Sequence, residues 1–433
     1  IESRAGRLAD YEADPPAPRF DDPDVVEAVR WYTDLHLRDQ VMPYFEPPEE
    51  GEERLISDAA ALIDTGQAAM WPDTDVLWWV RTQQGNIGVV PFPSDTPDWP
   101  ANPGTVGSLA MSAGTTQPEA SWRWLEYLSR QSITGMQLGM RIMSARRSAA
   151  ETSGFWDGLD EEFEGALRYA IDHGYAARAP IAYGAFSDAL DAILSGEQSV
   201  EDALAAAQAQ AEADIQEALA EESGATPAPT VVVEPAGEET PVSGDVVRVT
   251  FSPALGSFNL EPYRALAERF HEEHPDTLVD VKMANFVTGT PGLPEMAEAS
   301  DCFEWFPGFQ DPANREAILN LEPFADADPS FDSGDFFTQA LQQFTYQGQL
   351  WGIPSDITPF IVEFNKDLFD AEGVEYPKTD WTWDDFLATT VALTRGDGDT
   401  KQYGFVAEYY ELNDLLLMTE RLGAVLVDDS VDP

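Results

Sequence analysis

Between Glu221 and Gly244 the chain reads EESGATPAPTVVVEPAGEETPVSG, rich in Pro, Gly, Thr and Glu and without helical or alternating period. A stretch of this kind has no apolar face to bury, so it reads as a linker. It divides the 433 residues into 1–220 and 245–433, and whatever folds must be built from those two stretches, separately or together.

Both stretches carry material for a core. The chain is 43% hydrophobic and 11% aromatic, with 12 Trp, 13 Tyr and 23 Phe, which excludes disorder for most of its length. Single cores stop growing at roughly 250–300 residues, so two or three core units are expected. Asp and Glu number 79 against 24 Lys and Arg, a formal charge of −55. A field of that sign repels phosphate backbones and anionic lipid, so nucleic acid and acidic membranes are poor partners, and neutral or cationic small molecules remain. Lysine occurs only at Lys282, Lys366, Lys378 and Lys401. The acid excess reads either as a solvated surface for a salty or extracellular medium or as compositional drift.

The single cysteine, Cys302, rules out an internal disulfide framework and a cysteine-based metal site. His36, His173, His271 and His274 show no zinc spacing, so neither a metal nor a cofactor is expected. No apolar run approaches the roughly 20 residues of a membrane span. The sequence opens at Ile1-Glu2-Ser3 with no starting Met or signal peptide, and reads as a fragment.

Strand and helix patterns alternate on both sides of the linker. Asp22 before Pro23 starts a helix whose Val25, Ala28, Val29, Tyr32 and Leu35 form one stripe. A helix near Ser57–Thr65, an apolar piece at Gln67–Trp71, strands at Ile87–Pro91 and Gly107–Ser112, and a helix over Glu119–Ser129 follow. Ser199 caps an Ala-rich helix running to about Leu219. Beyond the linker, Val246–Phe251 is a buried-type strand, and Tyr263, Leu266, Ala267 and Phe270 make one face of a helix over Glu261–His271. Ile361–Phe364 and Tyr403–Val406 read as strands, and Trp383–Thr394 as a helix capped by Thr382. Strands alternating with helices predict an α/β fold.

The ordered set Trp351-Gly-Ile-Pro354, Phe364-Asn-Lys-Asp-Leu-Phe369, Gly373-Val, Trp381–Phe386 and Tyr403-Gly-Phe resembles the middle of extracellular solute-binding proteins of the maltose-binding type, the receptors of ABC importers for sugars. Asp22–Val29, Gly66–Met70, Val90–Pro93, Gly107–Ser112 and Pro118–Trp124 resemble the second half of the same family. Their order is inverted, with the family's second half at 1–220 and its first half at 245–433. Read circularly, Arg421–Asp429 leads into Arg19–Pro23. The resemblance therefore implies a two-lobed periplasmic-binding-protein-like fold of type II, in circularly permuted order or cut from a tandem pair. Lobe one would comprise 245–355 with 92–140. Lobe two would comprise 360–433, 1–88 and 145–220, and residues 221–244 would be the linker. A flexible segment of this length spans about 25–30 Å, enough to tie the ends of one domain.

The same resemblance implies which residues meet a ligand. Sugars present apolar C–H faces and a rim of hydroxyls, so their sites combine aromatic platforms with carboxylates or amides. Trp305 falls at a stacking position and Asp301 at a strand end beside it; the competing reading is a core tryptophan, because Phe303 alternates with Trp305. Trp71, Trp78 and Trp79 follow Gly-Gln-Ala-Ala-Met, where the family carries aromatic sugar-facing residues, and one of the three is expected to be buried. Tyr183 either stacks on ligand or packs under the helix Phe186–Leu194. Tyr409 and Tyr410 follow a strand and precede a helix over Asn413–Leu422. Ser252 and Asp356 offer hydroxyl contacts, while Arg141, Arg146 and Arg147 either hold ligand or, as favoured, pair with acids.

The implied function is the substrate-binding component of an ABC transporter. It would capture a carbohydrate, an oligosaccharide by preference, in an inter-lobe cleft by hinge closure. Permease subunits in the membrane are the implied partners, and a monomer outside the cytoplasm, lipid-anchored in the full-length protein, is the implied setting. A peptide, polyamine or osmolyte ligand on the same fold is the alternative. An enzyme such as a glycosidase is the rival class, but no Gly-x-Ser-x-Gly elbow, phosphate loop or His-Glu-x-x-His motif occurs.

Overall fold

The computed structural model describes residues 9–10, 17–45, 58–74, 86–94, 102–131, 143–176, 183–222, 246–253, 260–283, 292–305 and 312–406. Within these the strands are β1 (Ala9–Asp10), β2 (Ala17–Pro18), β3 (Met70–Thr74), β4 (Ile87–Val90), β5 (Asn102–Met111), β6 (Met143–Ser144), β7 (Gly174–Ala176), β8 (Val247–Ser252), β9 (Thr277–Val281), β10 (Cys302–Trp305), β11 (Thr345–Tyr346), β12 (Gln349–Leu350) and β13 (Ile353–Asn365). Helices intervene between most of them, and the sheet mixes parallel and antiparallel pairs, so the chain is α/β, as its sequence predicts. The linker lies almost wholly outside the described residues.

The chain divides into two units. Unit 1 is Ile1–Pro103, Leu159–Ser223 and Pro359–Asp432; unit 2 is Gly104–Gly158, Gly224–Thr358 and Pro433. Each unit therefore takes chain from both sides of the linker.

In unit 1 the second half of β13 is flanked by β3 and β4, both antiparallel, with Glu363 opposite Trp71 and Val89. The helix Pro23–Leu37 starts where Asp22 Oδ1 accepts from the Asp24 amide, and Pro23 loses nothing by lacking an N–H in the first turn. Its stripe of Val25, Ala28, Val29, Tyr32 and Leu35 is buried, joining Phe186, Leu190, Leu204, Phe364, Trp381, Trp383 and Phe386 in one apolar core. The helix Trp383–Leu393 opens with a capping box: the Thr382 hydroxyl accepts from the Asp385 amide, and the Asp385 carboxylate accepts from the Thr382 amide. Ser199 caps the helix Val200–Glu222 by accepting from the Asp202 amide at 3.1 Å.

Two expectations change here. The strand foreseen at Ile361–Phe364 is the end of one thirteen-residue strand beginning at Ile353, because apolar and polar residues in Ile353–Thr358 pair with different neighbours from those of Phe360–Asn365. Tyr403–Val406 does not form a strand. Tyr403 makes an isolated parallel bridge to Ala68 and Phe405 donates to the Val41 carbonyl, so the segment is held piecewise.

In unit 2 the sheet is built on β9–β8–β10, all parallel, with Phe251 opposite both Val281 and Cys302. β5 runs antiparallel to β10, pairing Met111 with Cys302 and Ser108 with Trp305. The first half of β13 follows beyond β5, and carries β6 at Asp356–Ser144 and Ile357–Met143. The helix Glu261–Glu273 covers one face through Tyr263, Leu266, Ala267 and Phe270. Trp124 packs edge-on against Phe251 at 5.6 Å and Phe270 at 5.3 Å, which closes the core between that helix and Pro118–Ser129.

Candidate functional site

The carboxyl ends of the parallel strands of unit 2 form one edge of its sheet, the place where open α/β sheets generally bind ligands. Ser252 ends β8, Val281 ends β9 and Trp305 ends β10. Because β5 is antiparallel, its Gly107 and Ser108 arrive at the same edge from the opposite direction.

Trp305 is half-buried, whereas Phe303 on the same face is wholly buried, with the two rings edge-to-face at 6.5 Å. Phe303 is core, and Trp305 keeps some exposure at the strand end. Its main chain is pinned, since the Ser108 hydroxyl donates to the Trp305 carbonyl at 2.9 Å. Glu304, on the opposite face, accepts from the Tyr263 hydroxyl with both oxygens at 2.8 and 2.9 Å.

Asp356 lies beside Gly107. A Cβ placed on Gly107 would fall 2.2 Å from Asp356 Oδ2, so only glycine lets the β5 backbone come this close. The Ser355 hydroxyl donates to the same oxygen at 2.6 Å, and the Gly107 amide also donates to the carboxyl. Burial pushes the Asp356 carboxyl above its ordinary range, and these two donors oppose the shift. Ser252 reaches the edge too, but at 2% exposure its hydroxyl is buried rather than presented.

Asp301 is a correction. It precedes β10 instead of ending a strand, and four residues of extended chain put it about 13 Å from Trp305, on the opposite edge. Its Oδ2 accepts from the Thr250 amide at 2.8 Å and the Thr250 hydroxyl at 2.7 Å, and its Oδ1 from the Thr115 hydroxyl at 2.7 Å. Burial pushes this carboxyl up, but those donors and the charge of Lys282 prevail and hold it below its ordinary value. Asp301 stitches β8 to the loop after β5.

Trp71 is buried, the outcome that the sequence expects for one of Trp71, Trp78 and Trp79. At 1% exposure it lies in the core of unit 1 with Ala59, Ala68 and Val406, and its Nε1 donates to Glu363 Oε2 at 2.8 Å. Trp78, Trp79, Tyr409, Tyr410 and Arg141 lie outside the described residues. Tyr183 begins the helix Tyr183–Leu194. Arg146 is 2% exposed and committed to Glu126 at 3.3 Å, Asp335 at 3.5 Å and the Phe336 ring at 4.2 Å. Burial pulls its pKa down while Glu126 and Asp335 hold it up, the pairing with acids that the sequence favours. Arg147 donates to the Phe336 carbonyl and covers the Phe337 ring.

The structure thus gathers Trp305 and Asp356 at one edge and adds Gly107, Ser108 and Ser355, which sequence reasoning passed over. A glycine inside the strand pattern Gly107–Ser112 was the available signal, since it marks a close approach of another group. Glu363 was legible in the same way, as a lone acid in the apolar run Ile361-Val-Glu-Phe that must find a donor.

Residues 259–428, less than half of the chain, match the family model described as "Bacterial extracellular solute-binding protein". Among solved structures, the chain is similar to the ABC substrate-binding protein Lmo0181 from Listeria monocytogenes in complex with cycloalternan. The two are 25% identical over 35% of this chain and 40% of that one, with a TM-score of 0.25. The chain thus spans well under half the length of that protein. None of the curated proteins matches the chain. The family model that matches describes a binding protein rather than an enzyme. No described helix is long and apolar enough to cross a membrane, and no described group of His, Cys, Asp or Glu is arranged to hold a metal ion.

Proposed function

We propose that the chain is the solute-binding component of an ABC importer, working outside the cytoplasm and delivering a carbohydrate to permease subunits in the membrane. The match of residues 259–428 to the solute-binding family carries this reading. A sugar is favoured over other solutes by the half-buried indole of Trp305, which offers an apolar platform next to hydroxyl and carboxyl groups at a strand-end edge. The net charge of −55 disfavours anionic solutes and leaves polyamines as the competing class.

Titration with mono- and oligosaccharides, read by tryptophan fluorescence and calorimetry, tests the reading. Saturable binding of one sugar class is expected, and Trp305→Ala should weaken it about tenfold or more. Saturation by spermidine with silence across the sugars would replace the carbohydrate by a cation.

The inverted order of the two halves belongs to the same proposal: one solute-binding domain built from 1–220 and 245–433. Since each unit takes chain from both sides of the linker, a protease site placed within residues 225–243 should cut the chain without separating the fragments. Both fragments are expected to co-elute under native conditions and to part only in denaturant. Fragments that separate natively would show that the halves belong to different domains.

A further inference from the structure

The route from Asp356 to Trp305 is short and wholly within unit 2. Asp356 Oδ2 sits where a Gly107 side chain would be, with the Gly107 amide donating to the carboxyl. The next residue, Ser108, is buried, pairs with Trp305 across the β5–β10 ladder and donates its hydroxyl to the Trp305 carbonyl. Gly352, at the foot of β13, packs against the same serine, where an added Cβ would meet Ser108 Cβ and Oγ at 3.3 Å. A carboxyl, an amide, a hydroxyl and a carbonyl therefore link β13 to the end of β10.

We propose that Asp356 is a positioning residue for Trp305: its carboxyl, seated against Gly107, fixes the β5 backbone that carries Ser108, and through Ser108 it sets how the Trp305 ring is presented. The importance of that ring rests on the carbohydrate reading; the linkage does not. An ionised carboxyl draws the Gly107 amide in with a charge-assisted hydrogen bond, and protonation weakens that pull. Among the described residues, Asp356 has Gly107 beside it on β5, Ser144 opposite it on β6 and Ser355 next to it on its own strand, all uncharged. Arg146, two residues past Ser144, is committed to Glu126 and Asp335. Burial keeps the Asp356 carboxyl protonated to higher pH than an exposed aspartate, so the change in Trp305 falls above the usual value of about 3.9.

The test uses ligand-free protein. The emission of the wild type minus that of Trp305→Phe isolates Trp305 from the other tryptophans and is followed from pH 7.5 to 3.5. A single titration centred above pH 3.9 is expected, and Asp356→Asn should abolish it while holding the acid-side spectrum at every pH. Ser355→Ala, which removes a donor to the ionised form, should move the midpoint to higher pH and serves where Asp356→Asn fails to fold. A difference spectrum that does not titrate, or one that titrates alike in Asp356→Asn, or an unmoved midpoint in Ser355→Ala, overturns the proposal. Because no sugar is present, silence across the carbohydrate panel leaves this result intact, and a flat titration leaves sugar binding intact.

Discussion

Trp71 in unit 1 and Trp305 in unit 2 both stand on short strands, and the sequence offers both as ligand platforms with a core reading beside each. Their surroundings separate them. β3 stands at the end of the sheet order beside β13, and Trp71, opposite Glu363, is buried with its indole N–H donating to the buried Glu363 carboxylate. β10 ends at Trp305, which is half-buried and whose main chain is held by pairing and a hydrogen bond with Ser108. Both are paired across a ladder, but the tryptophan at the strand end keeps some exposure while the one inside its strand is core.

The largest effect expected from this comparison is on Trp71→Ala. Deleting a wholly buried indole costs about 3–5 kcal/mol, and the loss of the Nε1 donor leaves Glu363 buried with one partner fewer. Denaturant unfolding should show it, and a loss below about 1 kcal/mol would mean that Trp71 is not core.

Acid titration sharpens the contrast between the units. His36 in unit 1 is buried, with Nδ1 on the Pro43 carbonyl at 3.0 Å, and burial lowers its pKa from 6.5 to about 4. Below pH 6.5 the unfolded chain takes up a proton that the folded one refuses until about pH 4. Stability from this group is therefore complete above 6.5 and falls by about 3 kcal/mol as the pH drops to 4. Asp301 in unit 2 has a lowered pKa, so its contribution is complete above 3.8 and is lost only as the pH falls through its lower folded value. Urea unfolding at pH 7, 5 and 4 should show the first loss, and His36→Gln should flatten the profile in that window. An unchanged profile in the variant would assign the acid sensitivity elsewhere.

The smallest effect is on the stability of Trp305→Ala. Half-buried at a strand end, the ring should cost about 1–2 kcal/mol to remove, less than Trp71, and the variant should stay folded so that its sugar affinity can be read. A destabilisation equal to that of Trp71→Ala would erase the distinction between the two.

Local pattern alone determined much of the framework. The stripe of the helix Pro23–Leu37, the Thr382 cap and the face Tyr263–Phe270 depend on residues within a few positions of one another, and each appears as the sequence predicts. Alternation of strands and helices was enough for the α/β class. Where a side chain ends up relative to residues hundreds of positions away was decided by tertiary structure. Glu363 captured Trp71, Thr250 and Thr115 captured Asp301, and the Gly107 backbone closed on Asp356. Burial of a polar group demands a partner whatever its distance along the chain, and strand pairing, which no local period encodes, chooses which partner arrives.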